Sequence, residues 1–425
     1  MSDKLDIIIF GVTGYTGLRT IPYLTNVINQ YNLSLSWGVA GRSEVKIKKM
    51  LKEFGQSKGV NYDNVPIIIA DINDENSLKN MTSQARIVLN ATGPYYLYGE
   101  QVVKACLASG THHVDLSGES LYTEKMQLLY HEEAKSKGIY IISACGLDSI
   151  PVDMGIVFLK NNFQGTLNSV ETYTYLETES STKEPLLNVG TYNSVIYALA
   201  NFFQTESQRK KLFHTELPTT EPKICTKLIH KSDLINKWCT LQPDPDAAVA
   251  RRSQHFFYDL YNERPIQVNC YLGLNSFWYL LKAMFLGFWI IIFSQFNRTR
   301  NLLFKYPSSF SNGLFTHEGP SEERQEGTVV NVKLRGKGWW GMSQNTVALI
   351  DSAPNKEIIA KVSGRNPGYG LSCATFAISA ITILTESDKM PSTGGVYPPG
   401  VAFAQTTMIE KLHLNGVKFE LISKN

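Results

Sequence analysis

The chain has 425 residues, 43% of them apolar and 11% aromatic, which is enough to bury two or three cores and too hydrophobic for a disordered chain. Its 41 basic and 38 acidic residues leave a formal charge of +3, so nucleic acid is not expected as a ligand and any membrane contact must come from apolar surface. Cys106, Cys145, Cys225, Cys239, Cys270 and Cys373 form no C-x-x-C pair and no histidine-spaced set, so neither a metal site nor a disulfide framework is expected. A reducing cytoplasmic setting fits, and the short apolar run from Ile7 is no secretory signal.

That run, residues 7–10, reads as a strand leading directly into Gly11-Val12-Thr13-Gly14-Tyr15-Thr16-Gly17 and then a helix to about residue 30, kinked at Pro22. Gly11 permits the turn, Gly14 lets backbone approach a pyrophosphate, and Gly17 lets the helix pack on the strand with its free N–H groups toward the anion. A second strand, 35–40, ends at Ala40-Gly41-Arg42-Ser43 with no carboxylate before Glu44. An acidic residue at this place would hold the ribose hydroxyl of NAD(H), whereas arginine accommodates a 2′-phosphate, so we read NADP(H) with NAD(H) as the alternative.

A helix over 44–54 precedes a strand, 65–70, that stops at Asp71 on the same cofactor edge, and Asp74 caps a helix to 84. The strand 87–90 opens into Ala91-Thr92-Gly93-Pro94, the expected nicotinamide-side loop. A helix over 100–109, a strand 113–116, a helix 121–137 and a strand 139–143 complete about six parallel strands. His112 and His113 point to opposite faces of their strand and read as structural. A hydride-transfer site also needs a proton donor. Tyr95, Tyr98 and Asp148 are the catalytic candidates, beside Tyr96, Asp115 and Glu119. Local packing of the tyrosines and capping by Asp148 are the alternatives.

Residues 177–184 and 216–246 read as loops around a helix 191–201. From Phe277 to Phe296 the chain is apolar and aromatic, interrupted by Lys282, Ser294 and Gln295 and followed by Arg298, Arg300 and Lys305. The length approaches a bilayer span. If strands at 329–334, 346–350 and 358–362 share a domain with those before residue 275, one crossing would split a fold, so a span is not expected. We read a segment lying in one leaflet or on a lipid-droplet monolayer, with burial against the core or a second copy as the alternative. A helix 374–384, a helix 406–415 and a strand 417–422 follow, the last two expected to dock on the first domain.

Gly11 to Gly17, Ala40-Gly41-Arg42, Asn90-Ala91-Thr92-Gly93-Pro94-Tyr95, Tyr98-Gly99-Glu100, Asp115-Leu116-Ser117-Gly118-Glu119, Gly146-Leu147-Asp148-Ser149-Ile150-Pro151, Gly364, Gly368-Tyr369, Thr375 and Gly394-Gly395-Val396-Tyr397-Pro398-Pro399-Gly400, taken together, resemble the saccharopine dehydrogenase-like oxidoreductases over nearly the whole chain. The resemblance implies an α/β protein with an amino-terminal Rossmann-type parallel sheet over 1–150. A second α/β domain over 151–390, with a mixed or antiparallel sheet, would supply substrate and homodimer surfaces, and a tail 391–425 would return to the first domain. Animal members are associated with lipid droplets, and related bacterial chains resemble enoyl reductases of lipid synthesis. The expected activity is reduction of a lipophilic carbonyl, imine or enoyl group. A nucleotide-binding adaptor without turnover, or saccharopine chemistry itself, are the alternatives.

Overall fold

The computed structural model describes residues 4–424 except 148, 180–183, 186, 214–215, 219, 243–244 and 342–351. Asp148 and the expected strand 346–350 lie outside the described residues. The amino-terminal half alternates β1 (Leu5–Phe10), α1 (Tyr15–Gln30), β2 (Trp37–Gly41), α2 (Glu44–Lys58), β3 (Ile67–Ile69), α3 (Glu75–Ser83), β4 (Ala85–Asn90), α4 (Tyr95–Ser109), β5 (His112–Asp115), α5 (Ser120–Ser136) and β6 (Tyr140–Ile142). These strands run parallel in the order β6-β5-β4-β1-β2-β3, and Gly395–Tyr397 adds a seventh beside β6.

Helices cover both faces, so β1 and β4 are apolar at consecutive positions rather than alternating: Ile7, Ile8 and Ile9 are all fully buried. The order of strands reverses between β1 and β4, which opens a crevice at their carboxyl ends. Pro22 is carried inside an unbroken α1. The fourth helix starts at Tyr95, five residues before the expected start, because Pro94 supplies its fixed φ of −65° at the N-cap and a distant carboxylate meets the first amides.

After α6 (Ile150–Asn162), β7 (Gly165–Thr178) forms the middle of a second, mixed seven-stranded sheet. It pairs in parallel with Gln267–Leu274 and antiparallel with Thr328–Trp340, which in turn pairs with Lys356–Arg365. Two short strands, Ile229–Lys231 and Trp238–Leu241, build one edge from the stretch expected to be loop. The tail divides: Gly395–Tyr397 enters the first sheet, but Val417–Lys424 pairs with Lys356–Arg365 at the other edge of the second. Docking of that last strand on the first domain is therefore corrected. Its register puts Val417 and Phe419, both buried, into the core shared with α6.

Between two strands of this one sheet the chain emits Phe277–Ser294, Asn297–Lys305 and Pro307–Phe310. Both flanking strands lie in the same sheet, so a single crossing would part them. These helices and Val189–Ala200 share a small core of Tyr192, Ile196 and Leu303 with Ile290, Phe293, Phe304 and Phe310. The outer faces are bare: Trp278 is 76% exposed, Tyr279 65%, Phe285 63%, Phe288 58% and Phe296 64%. Pro367–Lys389, also long and apolar enough to cross a membrane, is by contrast 83% buried.

Candidate dinucleotide and active site

The crevice between β1 and β4 is floored by the glycine loop. Gly11, at φ +86°, donates its N–H to the Ala40 carbonyl at 3.1 Å and accepts from Gly14 N at 2.9 Å. A Cβ at Gly11 would lie 2.7 Å from Thr92 Cγ2, and one at Gly17 would lie 2.5 Å from the Gly11 carbonyl oxygen. Glycine is thus required both for the turn and for packing α1 beneath it. Gly14 is the N-cap of α1, offers no side chain to the first amides, and no acidic residue occupies the first turn. Uncapped amides at the positive end of a 16-residue helix suit a diphosphate. Thr13, Tyr15 and Thr16 line the same turn.

Arg42 follows β2 directly and is exposed, while Ser43 is used up capping α2 through Lys46 N. The first carboxylate, Glu44, is paired with Lys48 at 2.6 Å. With an exposed guanidinium and its first carboxylate already paired, this edge fits a 2′-phosphate. Asp71, at the end of β3, accepts from Asn73 N at 2.9 Å and so builds its own turn.

Opposite the glycine loop, Ala91 N bonds the Phe10 carbonyl, and buried Asn90 accepts from both Thr92 N and Thr92 Oγ1. This holds Thr92-Gly93-Pro94 at the β4 edge. Glu119, 2% exposed, then receives Tyr95 N at 2.9 Å and Tyr96 N at 2.7 Å on its two oxygens, with Ser194 Oγ donating at 2.8 Å. Burial pushes its pKa up against those three donors, which favour the charged form.

Among the proton-donor candidates, Tyr95 is buried, its hydroxyl donates to the Asn90 carbonyl at 3.0 Å, and burial drives its pKa well up. Tyr98, one turn further along α4, is half-buried. Asp115 is fully buried, accepting from Ser117 N, Ala144 N, Tyr122 Oη and Ser143 Oγ. Such a saturated carboxylate ties β5 to β6. His112 accepts from Tyr140 N and His113 meets Asn90 Nδ2, so both serve the sheet.

Residues far along the chain close over the loop, and local sequence gave no sign that they would reach it. Gln325 Nε2 donates to Tyr15 Oη at 2.6 Å, and Tyr369 packs on the Tyr15 ring with centroids 4.2 Å apart. Leu147, Leu176, Leu187 and Pro367 line an apolar space of about 50 Å³ beside them. A larger cleft of about 940 Å³ runs between α1, α2 and residues 322–326. It extends to Trp37 at the start of β2 and Lys58 at the end of α2, away from the carboxyl edge.

A parallel sheet with an anion-ready loop at its reversal point, closed over by segments that adjoin a second sheet, defines a dinucleotide-dependent oxidoreductase. Residues 7–142 match the saccharopine dehydrogenase NADP binding domain. The chain is 33% identical to human saccharopine dehydrogenase-like oxidoreductase, over 99% of this chain and 97% of that one. It is 34% identical to the Caenorhabditis elegans lipid droplet localized protein, over 99% of each. Apo saccharopine dehydrogenase (L-Glu forming) from Saccharomyces cerevisiae shares the fold at a TM-score of 0.54 and 14% identity, covering 99% of this chain and 100% of that one. The chain belongs to the saccharopine dehydrogenase-like oxidoreductases, and its coenzyme is NADP(H).

Proposed function

We propose that this oxidoreductase works at a lipid surface, on a membrane or droplet monolayer facing the cytoplasm, and reduces a lipophilic carbonyl, imine or enoyl group. The bare apolar helix Phe277–Ser294 carries the reading: an exposed aromatic face of this extent is stable in water only when something apolar covers it. The worm relative's name points the same way.

NADPH supplies the hydride when bound. The amides of Gly11 to Gly17 would hold its pyrophosphate, Ala40, Gly41, Arg42 and Asp71 would surround the adenosine end, and Arg42 would pair with the 2′-phosphate. Ala91, Thr92, Gly93 and Pro94 shape the nicotinamide side. Tyr98 gives the proton to the atom left negative on the substrate, with Asp148 the other candidate, since the Tyr95 hydroxyl is turned inward. Two copies of the chain would pair through the second domain.

Titration with NADPH and NADH, followed by nicotinamide fluorescence, tests the coenzyme site; absence of binding by either would overturn the assignment. Sedimentation with phosphatidylcholine vesicles or triolein emulsion tests the surface. One observation favours a second reading, an adaptor without turnover: the Tyr95 hydroxyl and both Glu119 oxygens are already engaged. NADPH oxidation on addition of extracted lipid carbonyls rules that reading out.

A further inference from the structure

The lipid-facing helices and the nicotinamide-side loop are joined by one element, the helix Val189–Ala200. On its inner side Ser194 donates to Glu119, the carboxylate that also receives the first two amides of α4. Tyr197 stacks on Tyr96, two residues past Pro94, with centroids 6.1 Å apart. On its outer side Tyr197 meets Phe304 at 5.2 Å, and Gln295 Nε2 donates to the Leu199 carbonyl at 3.0 Å. Ile196 is fully buried in the small core shared with Leu303. The path from exposed Phe296 to the loop therefore runs through packed side chains and two hydrogen bonds, with Ser194 supplying one of the three donors on a buried carboxylate.

We propose that docking on a lipid surface tightens the nicotinamide-side loop through the helix Val189–Ala200, so that lipid and NADPH bind cooperatively. The inference rests on the lipid-surface reading above. In water the outer apolar faces of the emitted helices have no partner among the described residues, and their positions are held by the small core, by Gln295 on the Leu199 carbonyl and by Phe277 against Trp238. A surface fixes them, and with them Ser194 and Tyr197; Glu119 then keeps its third donor and holds the start of α4 and the preceding loop. Coenzyme bound afterwards pays less to order that loop. Linkage demands the converse: saturating NADPH must strengthen lipid binding by the same factor. Glu119 is a positioning residue here, since it acts through the first two amides of α4, which directly follow the loop.

The test uses the full chain and vesicles of phosphatidylcholine with phosphatidylserine. NADPH affinity is measured by nicotinamide fluorescence with and without saturating vesicles, and vesicle partition by sedimentation with and without saturating NADPH. Both should shift by the same factor, about 5-fold. Ser194→Ala should still sediment with vesicles but bring the factor close to one, and Ser194→Thr, which keeps the hydroxyl, should restore it. Vesicle-bound protein whose NADPH affinity is unchanged overturns the coupling while leaving the surface reading intact. Failure to sediment at all overturns both. The pair of wild-type measurements decides the matter even where a variant does not fold.

Discussion

The carboxyl edge of the first sheet and the helices emitted from the second meet the solvent in opposite ways. At the edge, side chains and backbone are bonded to one another almost throughout: Asn90 holds Thr92, Asp115 takes four donors, Glu119 takes three, and the amides opening α1 are left without a side-chain cap. In the emitted helix Phe277–Ser294 polar groups are few, and what faces outward is largely aromatic surface. On the function proposed above, each region is finished by a different kind of ligand. Uncapped amides at a helix start call for an anion, and bare aromatic rings call for an apolar phase.

Four changes separate those two demands. The largest effect is expected at Gly17, where a side chain would press on the Gly11 carbonyl, itself the acceptor that shapes the loop. Gly17→Val should weaken NADPH by about 150-fold, the equivalent of about 3 kcal/mol of unrelieved overpacking. Vesicle binding in the absence of coenzyme should stay unchanged. Equal loss of both in fluorescence titration and sedimentation would show that the regions do not fold independently of that contact.

Next is the joint between the sheets. Asp153 of α6 accepts from Ser253 Oγ at 2.8 Å and Gly400 N at 2.6 Å, and burial raises its pKa from 3.8 to about 6. The folded state holds this proton more tightly than the unfolded one, so stability falls as pH rises from about 4 to 6 and is level above. At about 1.4 kcal/mol per pH unit, nearly 3 kcal/mol is lost across that window. Asp153→Asn, whose amide oxygen can take both bonds, should flatten this part of the urea-midpoint profile and melt no lower than wild type at pH 7. An unchanged slope would mean the carboxyl is not the source.

Replacing Trp278, Phe285 and Phe288 together by serine removes three of the four most exposed rings of the emitted helix. Vesicle partition should fall about 100-fold, because each aromatic contributes on the order of 1 kcal/mol or more when it leaves water. The melting temperature should hold, since these rings lie outside the core; a large drop would identify the face as an internal interface instead. The smallest effect is expected at Arg42: Arg42→Ala should cost NADPH about 20-fold and NADH almost nothing, the discrimination of one charge-assisted phosphate contact. Equal losses in parallel titrations would remove the 2′-phosphate from Arg42.

The first sheet was legible because consecutive buried apolar runs, glycine stops and capping residues recur at short range. Ile7 to Phe10 and Asp74 each carry their own signal. The second sheet was harder. Its central strand, Gly165–Thr178, buries Thr166, Asn168 and Thr172 among its apolar residues, so no clean alternation marks it. The start of α4 was misplaced for a related reason: the group that meets Tyr95 N and Tyr96 N belongs to Glu119, 23 and 24 residues away, and the sequence near Tyr95 contains no sign of it.

Local chemistry along the chain was sufficient to mark the glycine loop after the first strand, the arginine after the second, the Thr92-Gly93-Pro94 turn and the apolar stretch, because each depends on neighbours within a few residues. Tertiary structure alone decided which hydroxyls remain available, how Gln325 and Tyr369 close on Tyr15, that the last strand joins the second sheet, and that Ser194 reaches Glu119. Those outcomes turn on hydrogen bonds and packing between segments up to 354 residues apart, from Tyr15 to Tyr369, where the partner is chosen by the fold and not by any residue nearby.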